Sequence, residues 1–306
     1  LERNERHHKR GKEMSLIAEI LRIGLQITNA KTWAAKSIYH PKRNAQALAP
    51  EKFNKSLTIK SADLNDFHLL QIHPPKPNQQ HIFFLHGGAY TLEPLPAHRT
   101  ILEIFTLEFG FTVHFLFYPL APEYTFVVTH QTILLAYQKI VEEFPNDKIH
   151  LFGDSAGGGL ALAFLQTLSK KEHLPMPAKT ALISPWVDLS LTNVSITSYE
   201  KKDPILSVPA LQFAAQQFAG NTHLNNPHLS PIFGAKENLG QLLLLYGTNE
   251  LFYPDLKQLQ NELEAAEGTY PEIYIGPKML HDWILLPIPE AKITIKKIGH
   301  WLLQTD

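Results

Sequence analysis

The sequence predicts an α/β fold: a mostly parallel central sheet of about eight strands, covered by helices on both faces. Two observations predict it. Beyond position 80, short and almost wholly apolar runs alternate with helical patterns, as expected of strands buried on both sides. Those runs are HIFFL (81–85), FTVHFLFY (111–118), KIHLF (148–152), TALIS (180–184), LLLLY (242–246) and PEIYI (271–275). Finally, the stretch IHLFGDSAGGGLALAFL, from position 149, joins a strand directly to a helix through glycines.

In chain order, a helical rhythm over 15–39 puts Leu16, Ile17, Ile20, Leu21, Ile23 and Ile27 broadly on one side, and Pro41 ends it. Segments 57–60 and 67–72 predict two short strands paired antiparallel. Helices are expected over 100–109, 129–144, 156–168, 255–267 and 290–302. No repeat or linker divides the chain, so 1–306 reads as one domain. About 57 residues separate the strands at 180–184 and 242–246, too many for a plain crossover. They include the helical PALQFAAQQFAG (209–220). This insertion, about 188–232, is expected to form a cap with about 1–50 over the carboxyl ends of the strands.

The 306 residues carry 28 basic and 29 acidic side chains, for a net charge of −1. That balance offers no long-range field to nucleic acid or anionic lipid. The opening LERNERHHKRGK is basic; it reads as a solvated terminus, with membrane-surface contact as the alternative. Cysteine is absent, which excludes disulfides and thiolate metal sites and suits a cytoplasmic protein. No secretory segment and no membrane span are expected, since the chain opens on charges and has no long apolar run. The sixteen histidines are scattered, so neither a metal nor a cofactor is expected.

Gly153-Asp154-Ser155-Ala156-Gly157 fits G-x-S-x-G. A tight strand-to-helix turn exposes the serine hydroxyl and tolerates only small neighbours, and the helix behind it offers free N–H groups. Such a hydroxyl needs a base and donors for the charge that develops on a carbonyl oxygen. HGGAY (86–90) follows a strand and supplies the second set of donors: Gly88 and Ala89 join Ala156, with Gly87 shaping the turn. His86 reads as structural. For the base and its acid, the order nucleophile, acid, histidine points to two later loops. YGTNELFYPD (246–255) offers Glu250, four residues past a strand end, and Asp255, which reads as a cap of the next helix. KMLHDW (278–283) offers His281. His150 points into the fold, and His300 lies in the last helix.

The sequence resembles the hormone-sensitive-lipase-like family of α/β-hydrolases. The resemblance rests on HGGAY (86–90), FYPLAPEYTF (117–126), GDSAGGGLA (153–161), SPWVDLS (184–190), GTNELFYPD (247–255) and MLHDW (279–283), in the family's order. It implies an α/β-hydrolase fold with a helical cap and serine-dependent hydrolysis of carboxylic esters. It implies Ser155 as nucleophile, Glu250 as acid, His281 as base, and an oxyanion hole at Gly87, Gly88, Ala89 and Ala156. The chain departs from the family pattern in three places: Ala89 stands for a third glycine, Glu250 for the usual aspartate, and YTFV follows LAPE in place of a His-Pro-Phe-Pro run.

The expected substrate is a small ester of short or medium acyl chain, with Tyr90, Asp154, Trp186 and Phe213 as candidate contacts. His86, Glu123 and Asp188 are expected to hold loops, Glu123 as an internal carboxylate near the oxyanion turn. The resemblance leaves monomer or homodimer open. An amidase or deacetylase with the same apparatus is the alternative, and a non-catalytic ligand-binding protein on this fold a third.

Overall fold

The structure is a computed structural model that describes residues 8–10, 14–43, 45–64, 66–171 and 173–304. The strands are β1 (His8–Arg10), β2 (Thr58–Leu64), β3 (Phe67–His73), β4 (Gln80–Leu85), β5 (Thr112–Phe117), β6 (Lys148–Asp154), β7 (Thr180–Ile183), β8 (Gly240–Gly247) and β9 (Thr269–Gly276). The helices are α1 (Leu16–Ile27), α2 (Ala30–Tyr39), α3 (Pro96–Phe109), α4 (Phe126–Glu143), α5 (Ser155–Leu168), α6 (Ile196–Glu200), α7 (Val208–Ala219), α8 (Tyr253–Ala265) and α9 (Pro289–Leu303).

One sheet runs in the order β1-β9-β8-β7-β6-β4-β5-β3-β2. The eight expected strands are present, and β1 adds a short edge parallel to β9. Among the described residues, only the β2–β3 and β3–β5 pairs are antiparallel. The two-residue side-chain period divides the core. Phe83 and Leu85 of β4 belong to the cluster that includes Tyr137 of α4 and Leu160 and Phe164 of α5. Ile82 and Phe84 belong to the other, with Leu102 and Phe105 of α3 and Ile295 and Ile298 of α9. Register then aligns the strand ends: Leu85 pairs with Gly153, Ile183 with Leu245, and Gly247 with Gly276. The loops carrying HGGAY, Ser155, Glu250 and His281 all leave this one edge, where open α/β sheets bind ligands.

The helical stretch 15–39 is two helices. Asn29 breaks it in the left-handed region, at φ 55°. Ser15 caps α1 by accepting from the Ala18 amide at 3.2 Å, and its own N–H donates to Glu290 at 2.6 Å, tying α1 to α9. The apolar side read from the sequence faces outward: Leu16, Ile17, Ile20, Ile23 and Ile27 are exposed, and Ala18 is the buried residue of α1. α2 packs on α7 of the insertion. Tyr39 meets Phe213 edge-on at 5.1 Å, and the Lys31 ammonium donates to the Glu200 carbonyl.

Asp255 is not the cap of α8. It lies inside the first turn, 2% exposed, and accepts from the Asn193 amide at 2.8 Å. Burial pushes its carboxyl up to about 7. The native protein therefore keeps this proton over a range where the unfolded chain releases it, so stability falls as pH rises from about 4 to about 7. Asp255→Asn is expected to remove that dependence. The variant should gain on the order of 3 kcal/mol at pH 8 and almost nothing at pH 4, measured by urea unfolding at both.

Candidate active site

Ser155 sits at the junction of β6 and α5 with φ 49°, in the left-handed region that non-glycine residues avoid. The bend is closed by contacts that leave no room for side chains. A Cβ on Gly157 would lie 2.0 Å from the Leu85 carbonyl oxygen, and one on Gly153 2.3 Å from that of Gly157. Ser155 keeps 8% of its surface exposed.

From the far loops come an imidazole and a carboxylate. His281 Nε2 lies 2.9 Å from Ser155 Oγ, and its Nδ1 3.0 Å from Glu250 Oε2. With Nδ1–H donating to Glu250, Nε2 is left to accept the hydroxyl proton. The other Glu250 oxygen accepts from the Gly247 amide at 3.1 Å. Burial pushes the Glu250 carboxyl up, opposed by His281 and by a hydrogen bond to Ser184. Asp203, buried in the insertion, accepts from the Leu251 amide at 2.9 Å and from the amides of Ile205 and Leu206. It thus ties the insertion to the loop that carries Glu250.

The HGGAY turn is tight. Gly88, Ala89 and Tyr90 have φ of 125°, 51° and 60°, and the Gly88 carbonyl accepts from the amides of Thr91 and Leu92. Gly87 has a different task from the one its place among the oxyanion residues implied, because its N–H donates to Asp154 Oδ2 at 2.9 Å. Ala156 lies in the first turn of α5, where backbone N–H groups have no helical partner and the dipole is positive.

Asp154 is fully buried and lies directly before the serine. Besides Gly87 it meets His98 Nε2 at 3.2 Å. Asp282, directly after His281, completes the group. Burial and the neighbouring Asp154 push its carboxyl well up, with a hydrogen bond between the two carboxyl groups. Burial alone would raise Asp154 too; His98 and Asp282 reverse that and hold it low. One carboxylate therefore links the serine bend, the HGGAY turn and the histidine loop.

Several expected contacts take other places. Asp154 and Trp186 have no exposed surface, and Tyr90 has 1%. Trp186 donates to the Asp188 carbonyl, and Tyr90 stacks on Phe218 at 4.2 Å, so these side chains form framework and offer a substrate no surface. Phe213 is 37% exposed beside Tyr39. Asp188 accepts from the Ser190 amide and hydroxyl, holding its own loop. His86 is buried and donates from Nδ1 to the Gly87 carbonyl; burial pushes it down to about 3, so it stays neutral.

Glu123 is not the internal carboxylate expected. Its side chain is 49% exposed and pairs with Arg43. The guanidinium does the holding, donating to the carbonyls of Thr91 at 2.6 Å and Ala121 at 2.7 Å. A cavity of about 630 Å³ lies alongside, walled by Arg43, Leu70, His86, Tyr118 and Tyr124, and neither Ser155 nor His281 lines it. Of the residues that sequence reasoning missed, Asp282 had a signal, its place beside His281. Arg43, His98 and Asp203 had none, because their partners lie far along the chain.

Known proteins share this fold. The alpha/beta hydrolase fold family matches residues 82–285, and the chain belongs to it. Within it the chain is a hormone-sensitive-lipase-like member. It is 26% identical to a hormone-sensitive lipase from a metagenome library, whose crystal structure it matches with TM-score 0.81 over 95% of this chain and 99% of that one. The crystal structure of EstE7, a homologue of hormone-sensitive lipase also from a metagenome library, matches with TM-score 0.80 at 25% identity, over 95% and 98%. Among curated proteins, an acetyl-hydrolase of Streptomyces hygroscopicus is 28% identical over 95% of this chain and 96% of its own. An esterase of Acinetobacter venetianus is 31% identical over 74% and 76%. No helix among the described residues is long and apolar enough to cross a membrane.

Proposed function

We propose that this carboxylic ester hydrolase works through Ser155, His281 and Glu250 on small esters of short or medium acyl chain. The observation that carries the reading is the pair of contacts at His281, 2.9 Å to the serine hydroxyl and 3.0 Å to the carboxylate. Ser155 Oγ attacks the ester carbonyl while His281 Nε2 takes its proton. The tetrahedral oxyanion is met by the backbone N–H groups of Gly88, Ala89 and Ala156, each worth about 3 kcal/mol to the transition state. His281 then returns the proton to the departing alkoxide, leaving an acyl-serine. Water, deprotonated by the same imidazole, attacks the acyl carbon and frees Ser155. Glu250 orients the ring and stabilises the imidazolium in both halves.

Preference for short acyl groups is supported by the relative named acetyl-hydrolase, aligned over nearly the whole chain. A panel of p-nitrophenyl esters of graded chain length, with the matching anilides, tests the reading. The highest kcat/KM is expected for acetyl or butyryl esters, with the anilides at least a hundredfold slower. Faster cleavage of the anilides would make the protein an amidase, and rates that keep rising with chain length would overturn the acyl preference.

A further inference from the structure

The solvent side of α1 is unusual for a helix facing water. Leu16, Ile20, Ile23 and Ile27 are spaced four, three and four apart, which puts them on one stripe. The stripe is turned outward, with Leu16 75% and Ile27 79% exposed. The inner side is also apolar: Ala18 is buried and Leu21 packs against the core. Trp33 of α2 is 70% exposed, with the Lys36 ammonium 5.7 Å from its ring centre. Isolated exposed apolar residues are ordinary; a continuous run of this kind marks an interaction surface.

The charge of this segment is one-sided. Over the described residues 14–42, Arg22 is balanced by Glu19, while Lys31, Lys36 and Lys42 stand in excess; Arg43 is held by Glu123. Since the whole chain sums to −1, the remainder is acidic, and the near-neutral total conceals a basic start. An aliphatic stripe with basic flanks and an exposed tryptophan is the pattern of helices that lie in a lipid headgroup layer.

We propose that the outward stripe of α1, with Trp33, Lys31 and Lys36 of the adjoining α2, docks this protein on an anionic phospholipid surface. A second copy fits less well. The repeat covers under two heptads, short of the three to four that sustain a helix pair, and two such surfaces would oppose like charges. The proposal is independent of the reading of Ser155, because α1 contributes no residue to that site.

Cosedimentation of the full chain with vesicles tests it, using phosphatidylcholine alone and phosphatidylcholine with about 30% phosphatidylglycerol. The protein is expected to bind the anionic vesicles at least about tenfold more tightly than the neutral ones, and to be released in about 0.5 M salt. The fourfold variant Leu16→Gln, Ile20→Gln, Ile23→Gln, Ile27→Gln should lose at least about tenfold in binding, with unchanged hydrolysis of a soluble ester. Ile27→Glu alone, at the most exposed position, should lose about threefold or more and guards against misfolding of the fourfold variant. Three outcomes overturn the proposal: no binding to anionic vesicles, equal binding to both kinds, or undiminished binding by both variants. Light scattering supplies a fourth, a dimer without lipid that the fourfold variant converts to monomer, which would assign the stripe to a second copy.

Discussion

Ser155→Ala is expected to lower kcat/KM on a soluble acetyl ester by on the order of 10⁶-fold and to abolish labelling by a fluorophosphonate probe. The loss follows from the loss of the attacking atom; the backbone donors and the binding surface remain and leave a residual rate above water. Stability should hardly change. Ser155 keeps only 8% of its surface exposed, but the substitution removes a single oxygen and leaves a methyl side chain at a φ of 49° that serine already tolerates. Labelling that persists in the variant, or activity within tenfold of the wild type, would remove Ser155 as nucleophile.

Glu250→Gln is expected to cost on the order of 10⁴-fold in kcat/KM at pH 7. The amide fills the same volume and can still accept from Nδ1, so the ring keeps its support but loses the negative charge that stabilises the imidazolium. KM should move little, because the carboxylate lies 3.0 Å behind the ring and is fully buried. Relief of the buried charge is opposed by the loss of an acceptor for the Gly247 N–H, so stability should change by no more than about 1 kcal/mol. Steady-state kinetics together with urea unfolding read both effects. A variant with near wild-type kcat would mean that His281 needs no charged partner.

Much of this was legible in the residues, for identifiable reasons. The strands were read closely because β4 to β7 are covered on both faces, which forces near-continuous apolar runs such as HIFFL. Helix starts were read late at α3 and α4: Pro96 opens α3 and Phe126 opens α4, several residues before the expected positions, because the first turn is set by backbone geometry more than by apolar rhythm. The amphipathic pattern of α1 was visible, but its direction was not. Periodicity gives a face and cannot say whether protein or something else covers it. At the site, Ser155, Glu250 and His281 stand at strand ends where local pattern speaks. Asp154, Tyr90 and Trp186 stand within the motifs GDSAGGGLA, HGGAY and SPWVDLS, and only packing reveals that they face inward. The Glu123 reading failed because its partner Arg43 lies 80 positions away.

The Arg43 clamp has a consequence for how the chain can be divided. A guanidinium from the opening segment bridges the Thr91 carbonyl, just past the HGGAY turn, and the Ala121 carbonyl of the neighbouring loop. The opening segment and these two loops are thereby fastened to each other. Shortening the protein past Arg43 would release the turn that carries Gly88 and Ala89, the proposed oxyanion donors, so that any change in substrate range would be entangled with a loss of catalytic power.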